Sequence, residues 1–235
     1  MTIVTVGSLR DTAVAFNRDP TLFYDKVDRL IMFIGNAANP PVQYEYREYN
    51  VALDPTAYVA ILRSGLPIYW VPCFDGPLFT NRRGYASWWT ATWEELLPKV
   101  SSPLLQYFVF AMLQPSADPL SFLDQPVDDR QKQQLFSVEP HRNLWCAAVF
   151  SFVAGRRIVR QDTEYVAEPA GTGTTLVQVR PFYFASVGVE VDDNGYTTIG
   201  SAANMHSVSQ FRVSDLSSYP EVMTSVTRNL LGEDK

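Results

Sequence analysis

Glu48-Tyr49-Asn50-Val51-Ala52-Leu53-Asp54-Pro55 decides how this chain is read. Side chains two apart on extended backbone point to the same side, so Glu48 and Asn50 would present a carboxylate and an amide together. Such a pair suits neighbouring hydroxyls. Four residues further on, Asp54 is placed to cap a helix over 55–63, with Pro55 in its first turn. Upstream, Gly35-Asn36-Ala37-Ala38-Asn39-Pro40-Pro41 is too rich in turn formers for the interior of a strand or helix. Before it, 30–34 is an apolar run that reads as a buried strand. A polar loop between a buried strand and a helix is where open α/β sheets hold their ligands.

The pattern extends in both directions. Strands over 3–6, 29–34 and 68–71 alternate with helices over 9–16 and 55–63, the order of β-α-β units with parallel pairing and right-handed crossovers. The aromatic segment 85–93 is expected to be helical. Ser101 and Pro103 open a helix over 104–113 that is apolar almost all round and so expected to be buried. Residues 114–134 read as an irregular surface excursion with a short helical piece at 120–123, and 144–153 suits a helix or a strand by periodicity. From 158 onward short β-like runs take over. Asp192-Asp193-Asn194-Gly195 supplies a hairpin turn between Val189 and Thr198, and an amphipathic helix over 217–231 closes the chain. The fold expected is α/β: a Rossmann-like, mainly parallel sheet flanked by helices, with a β-containing C-terminal portion, in a single domain over 1–235.

The bulk properties fit a globular protein. At 235 residues, 46% hydrophobic and 19% charged, the chain can bury a sizeable core. A formal charge of −6, with no basic run beyond Arg82-Arg83 and Arg156-Arg157, argues against a nucleic-acid partner. The sequence has no apolar stretch of the roughly 18 residues that span a bilayer, so no membrane partner is expected. Cys73 and Cys146 lack metal-ligand spacing and read as thiols of a reducing compartment, the cytoplasm, although a disulfide is not ruled out by sequence.

The loop and its surroundings resemble the inosine-uridine preferring nucleoside hydrolases. Their ribose loop likewise runs from a Gly-rich turn through Glu-aromatic-Asn to an Asp-Pro helix start. Val4 to Asp11 (V-T-V-G-S-L-R-D), Phe16 to Leu22 (F-N-R-D-P-T-L) and Ser64 to Val71 (S-G-L-P-I-Y-W-V) match further family steps in order. His141-Arg142-Asn143-Leu144 is similar to the His-Asp-x-Leu helix start near the family's active site. The resemblance implies hydrolysis of an N-glycosidic bond in a nucleoside or related riboside. Glu48 and Asn50 would hold the sugar, and His141 would assist the leaving group as its acid.

The departures matter as much. The family's further polar loop residue falls at Val42. Arg142 stands where the family places an aspartate that ligates calcium, and a guanidinium cannot supply the oxygens this ion takes. One expectation is that Arg142 fills the place of the cation. The family also carries a longer leading segment with an Asp-rich motif that supplies the remaining calcium ligands and the water-activating aspartate, so the resemblance implies a hydrolase fold that is N-terminally incomplete. No cofactor is therefore expected in this chain, although calcium is usual in the family. An alternative function is a noncatalytic sugar- or nucleoside-binding protein that has lost the calcium site. Homo-oligomerisation is compatible with the sheet edge such a fold would leave.

Other motifs have plainer readings. Trp89 and Trp93, four apart, would share a helix face and could stack on a base or simply pack in a core. Asp192 to Gly195 lacks the spacing of a calcium loop, and Gly171 to Thr175 lacks the ending of a phosphate loop. His206 has no partner visible in sequence, and no Ser-His-Asp set can be assembled around two histidines.

Overall fold

In chain order the elements are β1 (Thr2–Thr5), α1 (Arg10–Arg18), α2 (Pro20–Lys26), β2 (Arg29–Phe33), α3 (Tyr49–Leu53), α4 (Pro55–Leu62) and β3 (Ile68–Val71). There follow β4 (Trp89–Thr92), α5 (Trp93–Leu96), α6 (Ser102–Leu113), α7 (Pro119–Leu123), α8 (Asp129–Ser137), β5 (His141–Leu144) and α9 (Ala147–Val153). The chain ends with β6 (Arg156–Gln161), β7 (Glu164–Pro169), β8 (Val177–Val179), β9 (Phe182–Val191), β10 (Thr197–Gly200), β11 (His206–Val213) and α10 (Tyr219–Leu231). The computed structural model describes residues 1–38, 47–137, 140–173, 175–201 and 205–232. The chain divides into two compact units, Met1–Trp88 with Pro181–Ser217 and Trp89–Arg180 with Ser218–Lys235.

The first unit is built on a sheet of order β1-β2-β3-β11-β9-β10. Its first four strands pair in parallel, and β9 and β10 add antiparallel edges. This is the expected mainly parallel α/β sheet. In β2 every residue after Arg29 is buried, the mark of a strand covered on both faces. Leu30, Met32, Ile34 and Trp70 form one core with Tyr58, Ile61 and Leu62 of α4 and with Val189, Val191 and Val208. The hairpin forms as expected: Val191 faces Thr197, and the Asp192 carboxylate accepts from the Asn194 and Tyr196 amides.

The second unit departs further from the sequence reading. Residues 89–92 form a strand rather than a helix, because they pair with 141–144: Trp89 faces Leu144 and Thr92 faces His141. The helix begins later, when Thr92 and Glu95 close a capping box at the start of α5. His141 to Leu144 is correspondingly a strand and not a helix start. Helix α6 has the expected proline start but not the expected burial, since Gln106 and Val109 are its buried residues and Tyr107 is 53% exposed. The excursion at 114–134 contains α7 as expected and leads into α8, a helix the sequence reading missed. A core of Trp93, Leu96, Leu97, Val109, Phe122 and Leu135 holds these helices together.

Candidate functional site

The carboxyl ends of the parallel strands form a hydrogen-bonded rim in the first unit. After β2 and β3 the backbone keeps pairing: Cys73 N donates to Gly35 O and Ala37 N to Phe74 O. The Asn36 side chain ties the two turns by donating to Gly76 O and accepting from Ala38 N. Gly35 makes the turn out of β2 with φ +88, and a Cβ there would lie 2.6 Å from the Tyr58 hydroxyl, so only glycine fits.

Glu48 anchors to this rim. Its backbone is extended, with φ −62 and ψ 141, and its side chain caps α3. One oxygen accepts from Gly35 N at 3.0 Å and Val51 N at 3.2 Å, and the other from Asn50 N and Asn50 Nδ2, both at 3.0 Å. The structure thus brings Glu48 and Asn50 into direct contact, but not in the way the spacing suggested. Asn50 is in the first turn of a helix rather than on extended backbone, and the pair meets because Glu48 turns in as a cap. Glu48 is 4% exposed, and its carboxylate takes about the four hydrogen bonds that two carboxylate oxygens accommodate. Burial raises its pKa above the ordinary value, more than the four donors lower it. Val42, the remaining loop position singled out in sequence, lies outside the described residues.

Downstream, Asp54 accepts from Ala57 N and from the Arg10 guanidinium, and these bonds hold its carboxyl below the ordinary range. Its expected role as the cap of α4 is met. Tyr58, one turn into α4, is fully buried and shares a 3.0 Å hydrogen bond with Thr197 of β10. Burial drives its phenol well above the ordinary range. Nothing in the local sequence marks this pair, because the partners are far apart along the chain.

Further polar groups come to light with the fold. Ser8 Oγ, in the turn after β1, is buried with no hydrogen-bond partner among the described residues. Gln210 of β11, between Trp70 and Ala185, is 0% exposed, and neither of its amide atoms has a hydrogen-bond partner among the described residues. Nothing in the local sequence marks it, because β11 also carries His206, Ser207, Ser209 and Arg212.

His141 and Arg142 belong to the second unit. His141 is exposed on β5. The Arg142 guanidinium lies 5.0 Å over the Trp93 ring. Calcium takes six to eight oxygens at about 2.3–2.6 Å, and this donor set does not fit. Among the described residues no group of three or more His, Cys, Asp or Glu is placed to hold a metal. The buried carboxylate of Asp75 is engaged instead with the Arg82, Arg83 and Tyr85 amides. Trp89 and Trp93 are buried at 1% and 4% exposure, which ends the base-stacking reading in favour of core packing. Cys73 and Cys146 are not joined in a disulfide. Among the described residues no helix is long and apolar enough to cross a membrane.

No family model and no curated protein matches the sequence. The chain is similar in structure to nucleoside hydrolases. One is an inosine-uridine preferring nucleoside hydrolase from Bacillus anthracis, at 13% identity and TM-score 0.45, matched over 97% of this chain and 60% of that one. Another is a purine-preferring ribonucleoside hydrolase from Gardnerella vaginalis, at 14% identity and TM-score 0.46 over 98% and 61%. A plant nucleoside hydrolase matches at 16% identity and TM-score 0.47 over 99% and 62%. The chain therefore spans about three fifths of the length of each of these structures.

Proposed function

We propose that this is a nucleoside-hydrolase-like protein that binds a nucleoside or related riboside at the carboxyl rim of its parallel sheet. The observation that carries this reading is the 3.0 Å contact of Asn50 Nδ2 with Glu48, on a carboxylate that also grips Gly35 at the end of β2. It fixes an amide, which can both donate and accept, at the edge where open α/β sheets take ligands. In this reading Asn50 meets the sugar hydroxyls directly. Glu48 holds Asn50 in place and exchanges one of its donors for a hydroxyl when the sugar enters. Ser8 Oγ, at the end of the neighbouring strand, is a further polar group of that rim.

Hydrolysis of the N-glycosidic bond is the chemistry of a completed site. It needs a base for water and help for the leaving group. We assign no described residue the role of base, and His141 is the candidate leaving-group acid. The second reading, a noncatalytic riboside binder, is favoured by Arg142: it stacks on Trp93, and the described carboxylates do not gather for calcium.

Calorimetric titration with inosine, uridine and ribose tests binding, and release of free ribose from a nucleoside panel, with and without calcium, tests chemistry. Saturable binding weakened about five- to tenfold by Asn50→Ala supports the site, at the scale of one hydrogen bond. Ribose release abolished by Glu48→Ala in a still-folded protein would make the chain an enzyme; binding without release makes it a binder. Neither binding nor release by folded protein overturns both readings.

A further inference from the structure

We propose that the riboside taken by the first unit carries a phosphate, and that Arg212 and Gln210 of β11 bind it. The inference rests on the riboside reading and adds the class of ligand. Its motivating feature is a pair of polar side chains that the fold leaves unmet. Gln210 is 0% exposed, yet neither its Oε1 nor its Nε2 has a hydrogen-bond partner among the described residues. An enclosed amide of this kind is a standing cost to the free fold, and a ligand that brings both a donor and an acceptor removes it. The Arg212 guanidinium carbon lies 3.4 Å over the centre of the Tyr85 ring. Among the described residues Arg212 pairs with no carboxylate. The Asp75 carboxylate is taken by the Arg82, Arg83 and Tyr85 amides, and that of Asp215 by Ser217.

The sheet sets these two groups along the rim from Asn50. Side chains two apart on a strand share a face, so Gln210 and Arg212 stand on the side of Val208, which belongs to the core of Ile34, Trp70 and Tyr58. Arg212 is the nearer to the carboxyl end. Val213 N donates to Gly84 O at 2.7 Å, which sets Tyr85 beside Arg212. Gln210 is in register with Trp70, and Trp70 with Met32. Trp70 Nε1 donates to Ile34 O, one residue before the Gly35 amide that Glu48 holds. Strands lie about 4.8 Å apart, so β11 is roughly 10 Å along the rim from β2. A ribose at Asn50 and the phosphate on its 5′ carbon bridge such a span. Stacking on Tyr85 engages the face of the guanidinium, whereas its N–H donors lie in its plane and point away from the ring. A phosphate accepts two of these at once. Gln210 Nε2 then donates to a further phosphate oxygen, and Oε1 accepts from a sugar hydroxyl. Gln210 is enclosed until the ligand arrives, so Arg212 makes the first contact and Gln210 the inner one.

Calorimetric titration of the full chain with inosine, inosine 5′-monophosphate and inorganic phosphate tests the inference. The monophosphate should bind about tenfold more tightly than inosine, at the scale of a charge-assisted contact. Arg212→Gln, which keeps a polar side chain and removes the charge, should bring the monophosphate down to the affinity of inosine. Gln210→Leu, close in volume, should weaken the monophosphate about five- to tenfold. The same change should raise the urea midpoint of the free chain, because it removes the unmet amide; a lowered midpoint would mean a structural role and overturns the part given to Gln210. Equal affinity for inosine and its monophosphate, or a preference untouched by Arg212→Gln, overturns the phosphate contact and leaves the riboside reading standing. Monophosphate binding that Arg212→Gln weakens and Asn50→Ala does not supports the phosphate contact and overturns the riboside reading. Inorganic phosphate bound as tightly as the monophosphate makes this a site for the ion alone and overturns the inference. Binding of none of the three by folded protein overturns both.

Discussion

Replacing Glu48 by alanine should cost the fold far more than an acid at a loop position ordinarily would. The carboxylate accepts from Gly35 N, Val51 N, Asn50 N and Asn50 Nδ2, and the bonds to Gly35 and Val51 are buried. Loss of a helix N-cap costs about 1 kcal/mol. Gly35 N lies outside the helix, so its loss is additional: a buried amide left unsatisfied costs about 1–3 kcal/mol. The sum is about 2–4 kcal/mol, a large share of the roughly 5–15 kcal/mol by which domains are stable. Urea denaturation followed by tryptophan fluorescence would read it as a lower midpoint at unchanged slope. The dependence on pH has a definite sign. Burial holds the Glu48 pKa above its ordinary 4.5, so its stabilising contribution is complete below 4.5 and falls as pH rises through the folded value. The gap between the parent chain and Glu48→Ala should therefore be wider at pH 4 than at pH 8. A folded variant within about 0.5 kcal/mol of the parent, against the 1–3 kcal/mol expected for the orphaned amide, would refute the anchoring of Gly35 to α3. A gap that widens with pH would refute the role given to burial.

Gly35→Ala meets both a positive φ and the Tyr58 hydroxyl at 2.6 Å, whereas Gly65→Ala meets φ +75 in open space. Thermal denaturation should show a loss of about 2–5 kcal/mol for the first and about 1–2 kcal/mol for the second. Tyr58→Phe leaves the buried Thr197 hydroxyl without its partner and should cost about 1–2 kcal/mol in urea; the double change Tyr58→Phe with Thr197→Val should recover part of that. Asp54→Ala removes the cap of α4, for about 1 kcal/mol at neutral pH. Because the Asp54 pKa is depressed from 3.8, chiefly by the bond from Arg10, that contribution is present above 3.8 and lost as pH falls through the folded value. Acid titration of the two proteins should therefore bring their stabilities together.

What the sequence disclosed was what neighbouring residues decide. Asp54-Pro55 starts a helix because an acid cap and a proline first turn are local chemistry. Asp192 to Gly195 turns because its own carboxylate bonds its own amides. The parallel strands were legible because a strand covered on both faces must be apolar throughout. Residues 85–93 misled because the aromatic spacing of Trp89 and Trp93 suits a helix face equally well, and the deciding partner, 141–144, is about fifty positions away. The same pairing turned His141 from a helix start into a strand end. At α6 the error was about burial: a uniformly apolar helix still keeps Tyr107 on the surface, beside the cavity that Arg142 borders.

The Glu48 and Asn50 pair shows why a motif is weaker evidence than its hydrogen bonds. Two positions apart on a helix, side chains diverge by about 200°. The two meet here because Glu48 stays extended and reaches inward while Asn50 has entered the helix. The carboxylate is consequently saturated before any sugar arrives. A hydroxyl donating to it must displace a donor already there, and the one that can leave at least cost is Asn50 Nδ2, whose side chain is partly exposed while the Gly35 and Val51 amides are buried. The exchange frees the Asn50 amide to bind the same sugar, so one bond is lost for two gained. That bookkeeping limits the net benefit to the order of a single hydrogen bond, about 1 kcal/mol. A riboside affinity that fell a thousandfold on Asn50→Ala would mean instead that Glu48 does not hold Asn50 in the free protein, and that the pair stands open as its spacing alone suggested.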